Sequence, residues 1–174
     1  MSLKPAVSER DHVAGPSNAR ITLVEYGDFE CPHCGAAFPI LKRIERQFAA
    51  DLRFVFRHFP LSEAHPHAVQ AAEAAEAAAA QGKFWPMHEL LFDNQNHLGR
   101  VDLLRYAKHL GLDLGAFERD LEAHTFLAHI RDDVEGGIRS GVNGTPTLFI
   151  NGARYDDRVA FPTLVAALEG AAVR

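Results

Sequence analysis

Two cysteines stand in Cys31-Pro32-His33-Cys34, where a strand-like run gives way to a helix-like one. Ile21-Thr-Leu-Val-Glu-Tyr26 is β-branched and aromatic over a strand's length, and Pro39, Ile40, Leu41, Ile44 and Phe48 recur at helical spacing behind the motif. These residues predict a strand, a tight turn and a helix that opens on the dithiol. With Cys31 near the N-cap and Pro32 at the first helical position, where its missing N–H costs nothing, Cys31 faces unpaired backbone donors and the positive end of the helix dipole. Both favour a thiolate. Cys34 falls one turn on and on the same side, close enough for the sulfurs to bond without dragging the backbone far. An exposed attacker of low pKa, with a second thiol to resolve a mixed disulfide, is the arrangement that thiol–disulfide exchange requires. The bland alternative, two buried and inert cysteines, fits poorly with a pair at a helix start with Pro between them.

His33 can place an imidazole beside Cys31. Stabilising the thiolate favours the reduced form and makes the pair a stronger oxidant, so this His argues for the oxidising half of the range from about −270 to about −120 mV that such dithiols span. The alternative is a solvated turn residue. These are the only two cysteines in the chain. A bridge between them closes too small a loop to staple a fold, so the pair is chemical rather than architectural.

The 174 residues suffice for one domain with a real core, or a small domain with a sizeable insertion. A net charge of −5 with scattered Lys and Arg supplies no basic footprint for nucleic acid and no polybasic helix for a membrane surface. No apolar run reaches a membrane span, so no membrane insertion is expected. No apolar signal segment opens the sequence, which leads us to expect a cytoplasmic address, with a periplasmic or other extracytoplasmic one as the alternative if a leader has been removed. In the cytosol a thiol poise of roughly −220 to −320 mV would keep an oxidising dithiol mostly reduced, which leaves oxidase, reductase and isomerase roles open.

Residues 1–20 show little periodicity and read as a leading segment pinned by residues such as Val13. Leu52-Arg-Phe-Val-Phe-Arg-His-Phe59 predicts a second strand, stopped by Pro60, and with the first it makes a βαβ unit. Residues 65–140 are helical throughout: 66–81, 84–94, 100–110, 113–121 and 125–140, punctuated by Gly82, Gly111 and Gly141. Within the first of these, an Ala run carries Glu73 and Glu76 on one face, which is what a close-packed helix uses. Thr147-Leu-Phe-Ile150 is a strand, Asn151-Gly152 a type I′ hairpin signal, Ala153-Arg-Tyr155 the partner strand, and 162–169 a closing helix before Gly170. The predicted fold is α/β: β-α-β, an all-helical insertion over 65–140, then β-β-α, with 21–64 and 141–174 as the two halves of one thioredoxin-like domain.

Three separated motifs in this order, Tyr26-Gly-Asp-Phe-Glu-Cys-Pro-His-Cys-Gly35, Gln81-Gly-Lys-Phe-Trp85 and Gly141-Val-Asn-Gly-Thr-Pro-Thr-Leu-Phe-Ile-Asn-Gly152, resemble the DsbA-like branch of the thioredoxin superfamily. The resemblance covers nearly the whole chain from about Asp11. The opening Val7-Ser-Glu-Arg-Asp-His-Val13 is similar to that of signal-less bacterial members, which occur alone or fused to sodium/proton antiporters. The resemblance implies a protein disulfide oxidoreductase with Cys31 as nucleophile and Cys34 as resolving thiol, needing no cofactor beyond the dithiol. Its partners would be protein thiols and disulfides, together with an unidentified redox partner or a small thiol such as glutathione.

It further implies that Pro39 is the kinking proline of the active-site helix, that Pro146 follows a cis bond against the dithiol, and that Thr145 presents backbone groups to an extended substrate. Glu25 would be a buried carboxylate that relays the proton of Cys34, the alternative being that it faces solvent. Phe29 and Trp85 would line a substrate groove or fill core, with core favoured for Trp85.

Two other functional classes remain open. One is a metal-binding module built from the CxxC and nearby histidines, of which His58, His65 and His67 are the compact supply. The other is a redox-inert peptide-binding or chaperone domain on the same scaffold.

Overall fold

Period-two alternation along two central strands, both of whose faces are covered, sets the architecture. The computed structural model describes residues 1–173. Its sheet is built from β1 (His12–Ala14), β2 (Ile21–Gly27), β3 (Leu52–His58), β4 (Thr147–Ile150) and β5 (Ala153–Tyr155), in the order β1-β3-β2-β4-β5. β2 runs parallel to β3, with Leu23 opposite Phe54, and antiparallel to β4, with Leu23 opposite Ile150. The parallel pair is joined by α1 (Pro32–Gln47), and α7 (Phe161–Ala172) closes the chain. Between β3 and β4 come α2 (Ala68–Ala79), α3 (Phe84–Asp93), α4 (Arg100–His109), α5 (Leu114–Glu122) and α6 (Leu127–Arg139).

The two faces of the sheet feed separate cores. Ile21, Leu23, Phe54 and Phe56 join α1, α7 and the side chains of α2 to α5 in the larger one, whereas Val24, Tyr26, Val55, Phe59 and Phe149 pack with Val142 and Val134 in the smaller. Glu25 follows Leu23 by two residues and so points to the larger core and α1.

The expected strands and helices fall within a few residues of their sequence positions, and the thioredoxin fold is the observed one. Asp113 caps α5, its carboxylate accepting from the Ala116 N–H at 2.9 Å. Asn151 and Gly152 turn between β4 and β5 with φ of 48° and 82°, as a type I′ turn requires.

Two expectations need correction. The first 20 residues are not merely a leading segment: His12–Ala14 pairs antiparallel with Phe54–Phe56 and forms the sheet edge. Three residues are too few to show a period, and only the partner strand reveals them. The last helix runs through Gly170 to Ala172, because Gly170 is exposed and costs that helix only propensity. In the close-packed α2, Glu73 and Glu76 are both buried, the first accepting from His124 Nδ1 at 2.8 Å and the second lying 2.7 Å from the Nε2 of both His12 and His58.

Candidate active site

Cys31 is the N-cap of α1, with extended backbone (φ −71°, ψ 122°) and no side-chain capping bond, and Pro32 occupies the first turn. The first N–H groups of α1 therefore have no capping oxygen, and those of His33 and Cys34 act on the Cys31 sulfur. The Cys31 carbonyl takes the first helical bond, from the Gly35 N–H at 3.0 Å. Both cysteines are unbridged thiols, Cys34 fully buried and Cys31 only 3 % exposed. The attacker is thus more covered than an exposed N-cap suggests.

Its cover comes from the loop before β4. The Thr145–Pro146 peptide is cis, and the Cys31 thiol donates to the Thr145 carbonyl at 3.5 Å. The Thr145 hydroxyl is buried and makes no hydrogen bond, which leaves it free to donate to a Cys31 thiolate. His33, Ala36, Ala37, Ile40, Thr145, Pro146, Arg158 and Val159 line a groove of about 490 Å³ beside the dithiol.

The electrostatics split the two thiols. Cys31 is brought down to about 5, chiefly because the Cys34 thiol donates to it; Thr145 and the backbone N–H groups of Cys34 and His33 add to this against the opposing effect of burial. Cys34 is pushed far up by burial, by its bond to Cys31 and by the nearby Glu25 charge. Glu25 is raised to about 8 by burial, with Glu45 and Cys31 adding repulsion. One oxygen of Glu25 is buried without a hydrogen-bond partner. A lone carboxyl beside a thiol that must lose a proton has the character of a proton acceptor.

Of the residues picked from sequence, Cys31, Pro32, Cys34, Thr145, Pro146 and Glu25 meet at one end of the sheet. His33 has an exposed side chain on the groove wall, and its backbone N–H helps hold the thiolate. Phe29 is 1 % exposed and packs on Phe56 and Phe92, so its expected place in the substrate groove is corrected to core. Trp85 packs on Phe54, Phe84 and His88 at the core's margin. The expected metal supply does not converge on the sulfurs: His58 turns to Glu76, His65 to Asp28 and His67 to Glu30.

Sequence reasoning missed the residues that clamp the motif loop. The buried Asp28 carboxylate accepts from the Glu30 N–H at 2.8 Å, the Leu61 N–H at 2.9 Å and His65 Nδ1 at 2.7 Å, while its carbonyl accepts from the Cys31 N–H. An Asp two residues before a turn donor is a recognisable signal for the first of these bonds. Gln95, between α3 and α4, donates its Nε2–H groups to the carbonyls of Phe29 and Cys31, both at 2.9 Å. A Cβ at position 35 would collide with the Gln95 Oε1, which explains the glycine after Cys34. Nothing in the local sequence announces Gln95.

Comparison with known proteins places the chain's family and fold. Residues 7–170 match the family described as Thioredoxin (Thioredoxin_4). The chain superposes on BdbD from Bacillus subtilis with a TM-score of 0.88 at 23 % identity, covering 99 % of this chain and 98 % of that one. It superposes on a thioredoxin-like oxidoreductase from Silicibacter pomeroyi with a TM-score of 0.85 at 29 % identity, covering 96 % and 95 %. Curated relatives include Na(+)/H(+) antiporter NhaA 1 of Salinispora arenicola, 47 % identical, and NhaA 1 of Mycolicibacterium vanbaalenii, 46 % identical, each match covering 96 % of this chain. This chain spans about a quarter of the length of those relatives, 26 % and 27 % respectively. Among the described residues no helix is long and apolar enough to cross a membrane.

Proposed function

The chain belongs to the thioredoxin family, and on that premise we propose that it is a thiol–disulfide oxidoreductase working through Cys31 and Cys34. The observation that carries this reading is the split between two adjacent thiols, one low enough to be a thiolate at neutral pH and the other held as a thiol.

When the dithiol is reduced, the Cys31 thiolate attacks one sulfur of a substrate disulfide. The Cys31–substrate bond forms, the substrate S–S bond breaks, and the other substrate sulfur leaves as a thiolate. Glu25 in its ionised form takes the proton of Cys34, which then attacks Cys31. The Cys31–Cys34 disulfide forms and the second substrate thiolate departs: the protein is oxidised by two electrons and the substrate reduced by two. The reverse sequence, in which a substrate thiolate attacks Cys31 and Cys34 leaves with the proton of Glu25, delivers a disulfide to the substrate.

Lowering Cys31 from its ordinary 9 to about 5 stabilises the reduced form at pH 7 by about 2.7 kcal/mol, or about 60 mV. That favours the disulfide-donating direction. The groove beside Thr145 and Pro146 suits an extended peptide, so the substrates we propose are protein thiols and disulfides, with a small thiol such as glutathione or a separate redox partner resetting the pair. No cofactor beyond the dithiol is called for.

The test is trapping. Cys34→Ala incubated with glutathione disulfide should accumulate one glutathione per chain on Cys31, visible by intact mass and removed by a reductant, because no thiol remains to resolve it. Wild type should show no lasting adduct. An absence of adduct in Cys34→Ala would overturn the assignment.

A further inference from the structure

A second cluster of reactive side chains lies away from the sulfurs, and the exchange chemistry does not use it. Glu76 Oε1 on α2 is 2.7 Å from His12 Nε2 on β1, 2.7 Å from His58 Nε2 at the end of β3, and 3.7 Å from His129 Nε2 on α6. The ligand atoms of His12, His58 and Glu76 all lie within 4.8 Å of one another. We propose that His12, His58, Glu76 and His129 form a structural binding site for a divalent cation of zinc's class.

The donor set and its spacing both point there. Three imidazoles and one carboxylate are borderline ligands of the kind that select zinc and its first-row neighbours over calcium or magnesium. Bonds of 2.0 to 2.2 Å in a tetrahedron put ligand atoms roughly 3.4 Å apart; the separations from Glu76 Oε1 are 2.7, 2.7 and 3.7 Å, and His129, which stands outside the group within 4.8 Å, must swing inward to complete the four. Two of the rings are already oriented: His12 stacks on Phe84 with centroids 3.6 Å apart and an 8° interplanar angle, and His58 holds Nε2 2.7 Å from Glu76 while its backbone N–H is fixed by Asp133. Hydrogen bonding alone accounts for His12 and His58 but leaves His129 too far from the same oxygen to bond it.

Asp133 supplies an outer carboxylate, accepting from the His58 N–H at 2.9 Å and lying 3.9 Å from His129 Nε2. With neutral imidazoles the cluster carries the Glu76 charge, and Asp133 beside it balances a dication. There is an entry path: His129 and Asp133 border a cavity of about 260 Å³, and the side chains of His12 and His129 are 19 % and 23 % exposed.

Four protein ligands leave no open coordination position, so the ion would clip elements together rather than catalyse. It would tie the edge strand β1 and helix α6 to the β3 and α2 core. The sulfurs are not ligands, which makes this site independent of the dithiol.

The experiment is Zn²⁺ titration, by equilibrium dialysis and calorimetry, of the full chain with the Cys31–Cys34 pair oxidised so that thiolates cannot bind. We expect one equivalent per chain, a melting temperature that rises with Zn²⁺ concentration, and, on Co²⁺ substitution, an intense tetrahedral visible spectrum without thiolate charge transfer. His129→Ala, on a half-buried position, and Glu76→Gln should each weaken binding roughly 100-fold. Because Glu76→Gln touches the core and can misfold, His129→Ala carries the decision, with His12→Ala as its check. Equal affinity in wild type and His129→Ala, or Zn²⁺ bound only when the dithiol is reduced, would overturn the site.

Discussion

Cys31→Ser should bring disulfide exchange down to the uncatalysed background, whereas wild type should react at a rate that rises with pH around 5 and is flat by pH 7. A thiol at about 5 is about 99 % thiolate at pH 7, against about 1 % for one at its ordinary 9, so the fold multiplies the reactive species by about 100. A serine hydroxyl cannot form the mixed disulfide, and Cys34, pushed far up by burial, cannot replace it as attacker. Thiolate ultraviolet absorbance against pH, beside the rate of reaction with a small disulfide, checks both halves. The two midpoints should coincide, and the absorbance step should vanish in Cys31→Ser. A redox-inert peptide-binding domain would lose nothing on this substitution, so the variant also separates the two readings of the scaffold.

Glu25→Gln should slow formation of the Cys31–Cys34 disulfide roughly 100-fold, the lower end of what a positioned proton acceptor contributes. It should leave the first attack by Cys31 almost unchanged. The same substitution alters stability in a definite direction. Burial raises the folded-state value of Glu25 to about 8 while the unfolded chain keeps the ordinary 4.5, so between these values the folded protein binds the extra proton. Stability is therefore full below pH 4.5 and declines as pH rises towards 8. At about 1.4 kcal/mol per pH unit the loss has an upper limit of about 5 kcal/mol. Glutamine has no proton to lose, so the variant should flatten this slope and be the more stable protein at pH 8. Denaturant unfolding across pH 5 to 8 measures it. A parallel slope in both proteins would mean that Glu25 is already ionised in the fold.

What could be read from residues alone was chemistry with a local cause. Pro32 after Cys31, the β-branched run ending at Tyr26 and the Asn151-Gly152 turn each declare their backbone by their own stereochemistry, and the dithiol, its helix and the hairpin follow from them. Glu25 was harder. Alternation assigns a face, but both faces of β2 are covered, so only the packing of α1 shows which face meets the dithiol. Gln95 and Asp28 escape for different reasons. Asp28 carries a local turn signal whose reach to Leu61 and His65 is tertiary, and Gln95 arrives from a loop 64 residues beyond Cys31.

The Ala run of α2 announces close packing, but the partners that let Glu73 and Glu76 be buried are histidines supplied by other elements. At His33 the side chain is exposed, and the helix N-terminus reaches the sulfur through backbone N–H groups that any residue could supply.

The measurement that bears most directly on the exchange function is the reduction potential of Cys31/Cys34, obtained by equilibrating the chain in glutathione buffers and mass-tagging free thiols. Moving the attacking thiol from the value near 7 of thioredoxin to about 5 stabilises the reduced form at pH 7 by about 2.3 kcal/mol, which shifts the potential from about −270 mV to about −220 mV or higher. We expect a reversible two-electron titration at or above that value. A value at or below −270 mV would mean that the Cys31 thiolate gains nothing from its helix end and from Cys34, and a pair that does not titrate reversibly would rule out thiol–disulfide exchange as the function of this site.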